Sequence, residues 1–237
     1  DGTATTESLS FAGLTTDNMV TMTSILGLIY TDAFLVYIEV DDNVGDILLS
    51  VTTVGAGLRL WNIRVSQISC DSPNKAPSYC LQYFTGRTGV IESFNYDAKL
   101  STDGNTTGYF NNLKYAICLR KEAKFCSVEY QTIDLMSRLE QVFDILNIRE
   151  FPGIPTAPTL SRGTAGVGAI DCPYDYIVLR RGVRLCGQRL NSLGSNVPST
   201  QSDPVIDDSS GPYVIRFETN NNITGAGFRI SYLHRPC

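Results

Sequence analysis

The sequence predicts an all-β protein, a disulfide-bearing antiparallel sandwich, and three observations in its last third predict it. First, three short strands alternate. Tyr174, Tyr176 and Val178 share one face of the first, Tyr213, Ile215 and Phe217 one face of the second, and Phe228, Ile230 and Tyr232 one face of the third. Second, Cys172 and Cys186 bracket the first of these strands. Third, the strands are separated by polar, turn-rich loops such as the run before Gly211 and the stretch TNNNITGAG.

The N-terminal 70 residues continue the β pattern. LSFAGL, DAFLVYIEV, DILLSVTTV and LRLWNIRVSQISC are rich in β-branched and aromatic residues, with turn signals TTDN, DDNVGD and GAG between them. In the last of these, Trp61, Ile63 and Val65 stand opposite Asn62, Arg64 and Ser66. Trp61 reads as an inward core residue of an alternating strand. The apolar runs 25–30 and 33–38 are too short to span a bilayer. The opening DGTATTESLS lacks the basic and apolar regions of a signal peptide and reads as the start of a mature chain.

Residues 71–80, with two prolines, read as a junction between two modules. A hairpin-like element follows around GRTG, then a polar loop over 101–113. KYAICLRKEAKFCSVEY reads as two strands around a charged turn, and its Cys118 and Cys126 are spaced for a bond across neighbouring strands. Leu135, Leu139, Val142, Phe143 and Leu146 recur near helical spacing and predict a short amphipathic helix over 133–147, with a strand followed by one helical turn as the alternative. Residues 151–171 are Pro/Gly-rich without periodicity and read as a long exposed loop.

The composition narrows function. The 237-residue chain is 43% hydrophobic, enough for a sizeable core, and carries a formal net charge of −5. A globally acidic chain lacks the electrostatic footprint for nucleic acid or anionic membrane. Its basic clusters, around Lys121 and Arg180, read as solvated strand ends. Seven cysteines, none in a C-x-x-C pair, and one histidine argue against zinc and redox chemistry and for disulfides in an oxidising compartment. Sequons at Asn105 and Asn222, both in Asn/Gly/Thr-rich stretches, are candidate N-glycosylation sites and agree with secretion. No G-x-S-x-G elbow or phosphate-cradling loop is present, and the carboxylate pairs Asp41/Asp42 and Asp207/Asp208 read as solvated turn residues. His234, three residues from the end of the chain, reads as an exposed terminal histidine rather than a catalytic one.

Four motifs in order carry a family resemblance: TGRTGVIESFNY, CPYDYIVLRRGVRLCG, YVIRFETN and GFRISY. Together they make residues from about 78 to 237 resemble a CUB domain, an extracellular jelly-roll β-sandwich. The resemblance implies a CUB domain over 81–237 with a long insertion at 131–171, and a reduced CUB-like β module over 1–70. The joint between them resembles that of arthropod secreted proteins with two CUB modules. The first module looks incomplete, either trimmed by proteolysis or diverged.

The resemblance also implies a Cys172–Cys186 disulfide, and the short loop agrees. Closing about 15 residues contributes roughly 3 kcal/mol by chain-entropy arguments. Cys118–Cys126 is expected next. Cys70–Cys80 would rivet the junction, while Cys70–Cys237 or Cys80–Cys237 would tie the chain end to its start. One cysteine of seven is left over, which suggests a bond to another polypeptide or a thiol. Several CUB domains bind calcium. Asp175 matches one of their aspartates, but Asn220 stands where a second is expected and Met136 falls near the expected glutamate. One carboxylate of three is a poor calcium set, so no cofactor is expected and Asp175 reads as a hydrogen-bonding strand-end residue. The functional expectation is a secreted, non-enzymatic protein of structural assembly, an oligomer or filament subunit built on protein–protein contacts. The alternative is a soluble recognition module for a protein or glycan, calcium-dependent in one version.

Overall fold

Alternation decides which side chains reach the core. In the strand Tyr213–Glu218, Tyr213, Ile215 and Phe217 are fully buried while Val214 and Arg216 face solvent. The computed structural model of the chain describes residues 8–12, 35–40, 47–52, 62–94, 96, 109–133, 143–145, 160–161, 163–180, 182–221 and 224–237. Among these residues every regular element is a strand.

Two strands, β1 (Ser8–Ala12) and β2 (Leu48–Thr52), form an antiparallel pair of their own. The remaining strands build a sandwich. They are β3 (Gln82–Phe84), β4 (Thr88–Glu92), β5 (Lys114–Leu119), β6 (Phe125–Thr132), β7 (Phe143–Asp144), β8 (Ala165–Val167), β9 (Tyr176–Val178), β10 (Arg184–Gly187), β11 (Val205–Asp207), β12 (Tyr213–Glu218) and β13 (Gly227–Pro236). One sheet runs β3-β5-β12-β9-β10-β8 and the other β11-β6-β13-β4, with β7 paired to the start of β13. All these pairings are antiparallel except β3 with β5.

One hydrophobic core joins the two sheets. Ile117, Ile177, Ile215 and Phe217 enter it from the first, and Ile91, Val128, Tyr130, Phe228 and Ile230 from the second. Phe217 and Phe228 meet edge to face across the layer at 5.1 Å. Gly89 lies under the ring of Tyr232, where a Cβ would collide with the aromatic carbons, so the close approach of β4 and β13 needs glycine there. Gly187 has φ +87° and abuts the Thr164 carbonyl, so the turn out of β10 also requires glycine.

Several expectations change. Phe143–Asp144, inside the stretch read as helical, is a strand that pairs with Gly227 and Phe228. Phe143 and Ile145 reach the core, and burial against the sheet overrides a local helical spacing. Residues 134–142, including Met136, lie outside the described residues. Ala165–Val167, in the stretch read as loop, forms an edge strand beside β10. Asp207 is a buried residue of β11 rather than a solvated turn residue, whereas Asp208 is exposed and paired with Arg180.

The first segment also behaves differently from its reading. Residues 62–69 form no strand and are exposed throughout, because strand propensity yields a strand only where a partner supplies the ladder. Residues 35–40 instead lie against the sandwich. Tyr37 N–H donates to the Leu81 carbonyl at 2.8 Å, its ring meets Tyr83 edge to face at 6.0 Å, and Val36 packs on the main core. Trp61, Asp41 and Asp42 lie outside the described residues.

Candidate functional site

Asp175 immediately precedes β9, and Asn220 follows β12 by two residues. The β9–β12 register, Tyr176 opposite Glu218, carries these two chain ends past each other at one end of the sandwich. Asp175 is buried there. Its Oδ1 accepts the Asn220 backbone N–H at 2.8 Å and its Oδ2 accepts the Tyr109 hydroxyl at 2.7 Å. Burial pushes its carboxyl above the ordinary aspartate value, and the Asn220 and Tyr109 hydrogen bonds pull the other way.

A second buried carboxylate serves the neighbouring loop. Asp144 accepts Gln188 Nε2–H on Oδ1 at 3.1 Å and the Ala226 N–H on Oδ2 at 3.2 Å. Gly225 joins the two clusters, because its carbonyl accepts the Tyr109 N–H at 3.0 Å. Both carboxylates therefore gather backbone N–H groups from loops, and their chemistry here is to position those loops. Tyr109, Asp144 and Gln188 were not singled out in the sequence. The available signal for Tyr109 was an aromatic pair, Tyr109-Phe110, in an otherwise polar run.

The cysteines pair as Cys80–Cys118, Cys126–Cys237 and Cys172–Cys186, with Cα–Cα separations of 5.7, 5.0 and 5.7 Å. The expected Cys118–Cys126 bond is not formed. β5 and β6 follow one another but belong to different sheets, so the two cysteines do not face each other across a hairpin. Instead Cys80 precedes β3, the parallel neighbour of β5, and Cys237 closes the strand beside β6. The expected Cys70–Cys80 rivet is absent too, and Cys70 is exposed outside these three bonds.

His234 is the other reversal. It is only 2% exposed, on the inner face of β13, ringed by Phe125, Tyr213 and Tyr232 at 5.7 to 6.0 Å. Among the described residues neither ring nitrogen has a hydrogen-bond partner. Burial holds its pKa below the ordinary value, against the pull of Glu122. Asn105 and Asn222 lie outside the described residues.

Residues 77–235 match the profile of the animal CUB domain. The chain belongs to the CUB domain family. No curated protein matches it. Among solved structures it is similar to the CUB1-EGF-CUB2 domain of human MASP-1/3, at 23% identity over 66% of this chain and 43% of that one, with a TM-score of 0.39. It is also similar to the full extracellular region of zebrafish Gpr126/Adgrg6, at 15% identity over 68% of this chain and 15% of that one, TM-score 0.40. A third is the MASP-1 CUB2 domain bound to Ca2+, at 27% identity over 64% of this chain and 96% of that one, TM-score 0.30. The chain thus spans less than half the length of the first two.

Calcium takes six to eight oxygen ligands, several of them carboxylate. In this CUB domain both oxygens of Asp175 already accept hydrogen bonds from the chain, and Asn220 meets Asp175 through its backbone N–H. Among the described residues no group of three or more His, Cys, Asp or Glu is placed to hold a metal. Nor is any helix among the described residues long and apolar enough to cross a membrane.

Proposed function

We propose that this chain is an extracellular, non-enzymatic CUB protein that acts in structural assembly through contacts with other copies of itself. One observation carries the reading. Residues 62–69, NIRVSQIS, have the composition of a strand yet lie exposed and outside any ladder, with Ile63, Val65 and Ile68 each more than two-fifths exposed. An extended apolar segment of this kind is suited to adding onto a sheet edge of a second chain. Strand addition of this type builds a closed dimer or, head to tail, a filament. CUB domains are in general binding modules rather than enzymes, and three disulfides agree with an oxidising, extracellular setting.

The test is sedimentation velocity on the intact chain across a concentration series, alongside Val65→Lys. Self-association that the lysine abolishes is the expected result. A wild-type chain that stays monomeric at every concentration would overturn the reading.

A further inference from the structure

Arg216 occupies the centre of the outer face of the six-stranded sheet. Its strand, β12, lies between β5 and β9. The register places Ala116 on one side of Arg216 and Val178 on the other, with Arg184 beyond Val178. Arg216 and Arg184 are therefore two strand spacings apart, about 10 Å at the backbone, with a valine between them.

The neighbouring row holds Lys114, Glu218 and Tyr176. Tyr176 O–H donates to Glu218 Oε2 at 2.8 Å, and Lys114 Nζ is 3.9 Å from the same oxygen. The one carboxylate in this row is thus already engaged. Arg184 stacks over the Tyr176 ring at 4.1 Å and donates to the carbonyls of Cys172 and Pro173. Its guanidinium is locked in place without a carboxylate. Arg216 is exposed, and among the described residues it forms no ion pair. Four arginines elsewhere on the sandwich contrast with it, whereas Arg87 lies over the Phe125 ring and Arg189 donates to the carbonyls of Gln188 and Thr200. Arg229 pairs with Glu92, Arg235 with Glu129, Arg180 with Asp208, and Arg120 with Glu122.

We infer that the outer face of the six-stranded sheet, centred on Arg216 and flanked by Arg184 and Tyr176, is a docking surface for an acidic, extended segment of a partner protein. Charge complementarity selects the occupant. Among the described residues this face keeps two guanidinium groups unmatched by carboxylate, on a chain whose net charge is −5. The aliphatic surface beside Arg216, from Val214, Val178 and Ala116, suits a protein segment with apolar side chains between its carboxylates. A polysulfated glycan would leave that surface unused. Tyr176 is buried beneath Arg184 and serves to hold that guanidinium in place, and arginine is among the residue types that concentrate binding energy in interfaces. The surface is built from other residues than 62–69, so the inference goes beyond the assembly reading.

The probe is a fluorescently labelled peptide alternating glutamate with valine, titrated by anisotropy into the intact chain, with heparin as competitor and a lysine/valine peptide as control. The peptide is expected to bind, and binding should weaken as salt rises from about 0.05 to about 0.5 M. Arg216→Glu should weaken it about tenfold or more, as loss of a central arginine does. Arg229→Glu, on the outer face of the opposite sheet, should change it less than about twofold. Absence of binding by the acidic peptide at low salt overturns the inference, as does equal loss in the two variants. Heparin binding far more tightly than the peptide, and depending on Arg216, would overturn it in favour of an anionic glycan. Sedimentation of Arg216→Glu keeps the two proposals apart, because self-association should be unchanged.

Discussion

The Tyr109 hydroxyl meets Asp175 Oδ2 at 2.7 Å, joining residues 66 positions apart in the chain. The same carboxylate caps the Asn220 N–H, so one side chain ties the loop before β5 and the exit of β12 to the entry of β9. Breaking this node has a defined cost. Tyr109→Phe removes one bond from a buried carboxylate and should destabilise by about 1–3 kcal/mol in urea unfolding.

The pH dependence of the node follows from its sign. Burial raises the folded-state pKa of Asp175 above 3.8, so the folded chain holds that proton more tightly than the unfolded one. Its contribution is most favourable below 3.8 and is lost as pH rises through the folded pKa. Relative to Asp175→Asn, the wild type should lose stability across that window. A pH-independent difference between the two in denaturant melts would contradict the assignment.

His234 titrates with a different consequence. Its folded pKa lies below 6.5, so on acidification the unfolded chain takes up a proton first. Stability should therefore fall as pH drops from 6.5 towards the folded pKa. Among the described residues the groups facing it are Phe125, Tyr213 and Tyr232, with Glu122 acting on it and the Arg87 carbonyl accepting its backbone N–H. His234→Phe keeps an aromatic ring in that cage and should lose less Tm than the wild type between about pH 7.5 and about pH 5.5.

The disulfide map makes a mass-spectrometric prediction. Non-reduced digests should yield a peptide containing Cys80 joined to one containing Cys118, and one containing Cys126 joined to one containing Cys237. The Cys126–Cys237 bond spans 111 residues and Cys172–Cys186 spans 14. By chain-entropy arguments the paired Cys→Ser replacement should cost about 4–5 kcal/mol at the first and about 3 at the second. Similar losses at both would show that native-state strain or residual structure outweighs the loop term.

Short-range pattern was legible where it coincided with the final environment. Tyr213, Ile215 and Phe217 share a face in the sequence and are buried together. Periodicity failed where it assumed a neighbour. Cys118 and Cys126 sit in consecutive strands that diverge into opposite sheets, and no spacing of seven intervening residues reveals that. His234 looked exposed because chain ends commonly are, yet its strand runs beside β6 to the last cysteine. Of the Asp175 cluster, the aspartate was legible through its motif. Tyr109 and Asp144 were not, because long-range hydrogen bonds leave no local period.

By itself the sequence determined the β class, the family and the alternation that fills the core. Each of these rests on local spacing and residue type, which survive any choice of strand order. The tertiary structure decided which cysteines bond, which titratable groups are buried and which arginines of the six-stranded sheet's outer face are left without a carboxylate. These depend on strand pairing across 38 to 111 residues of chain, and that pairing is set by the packing of the whole sandwich.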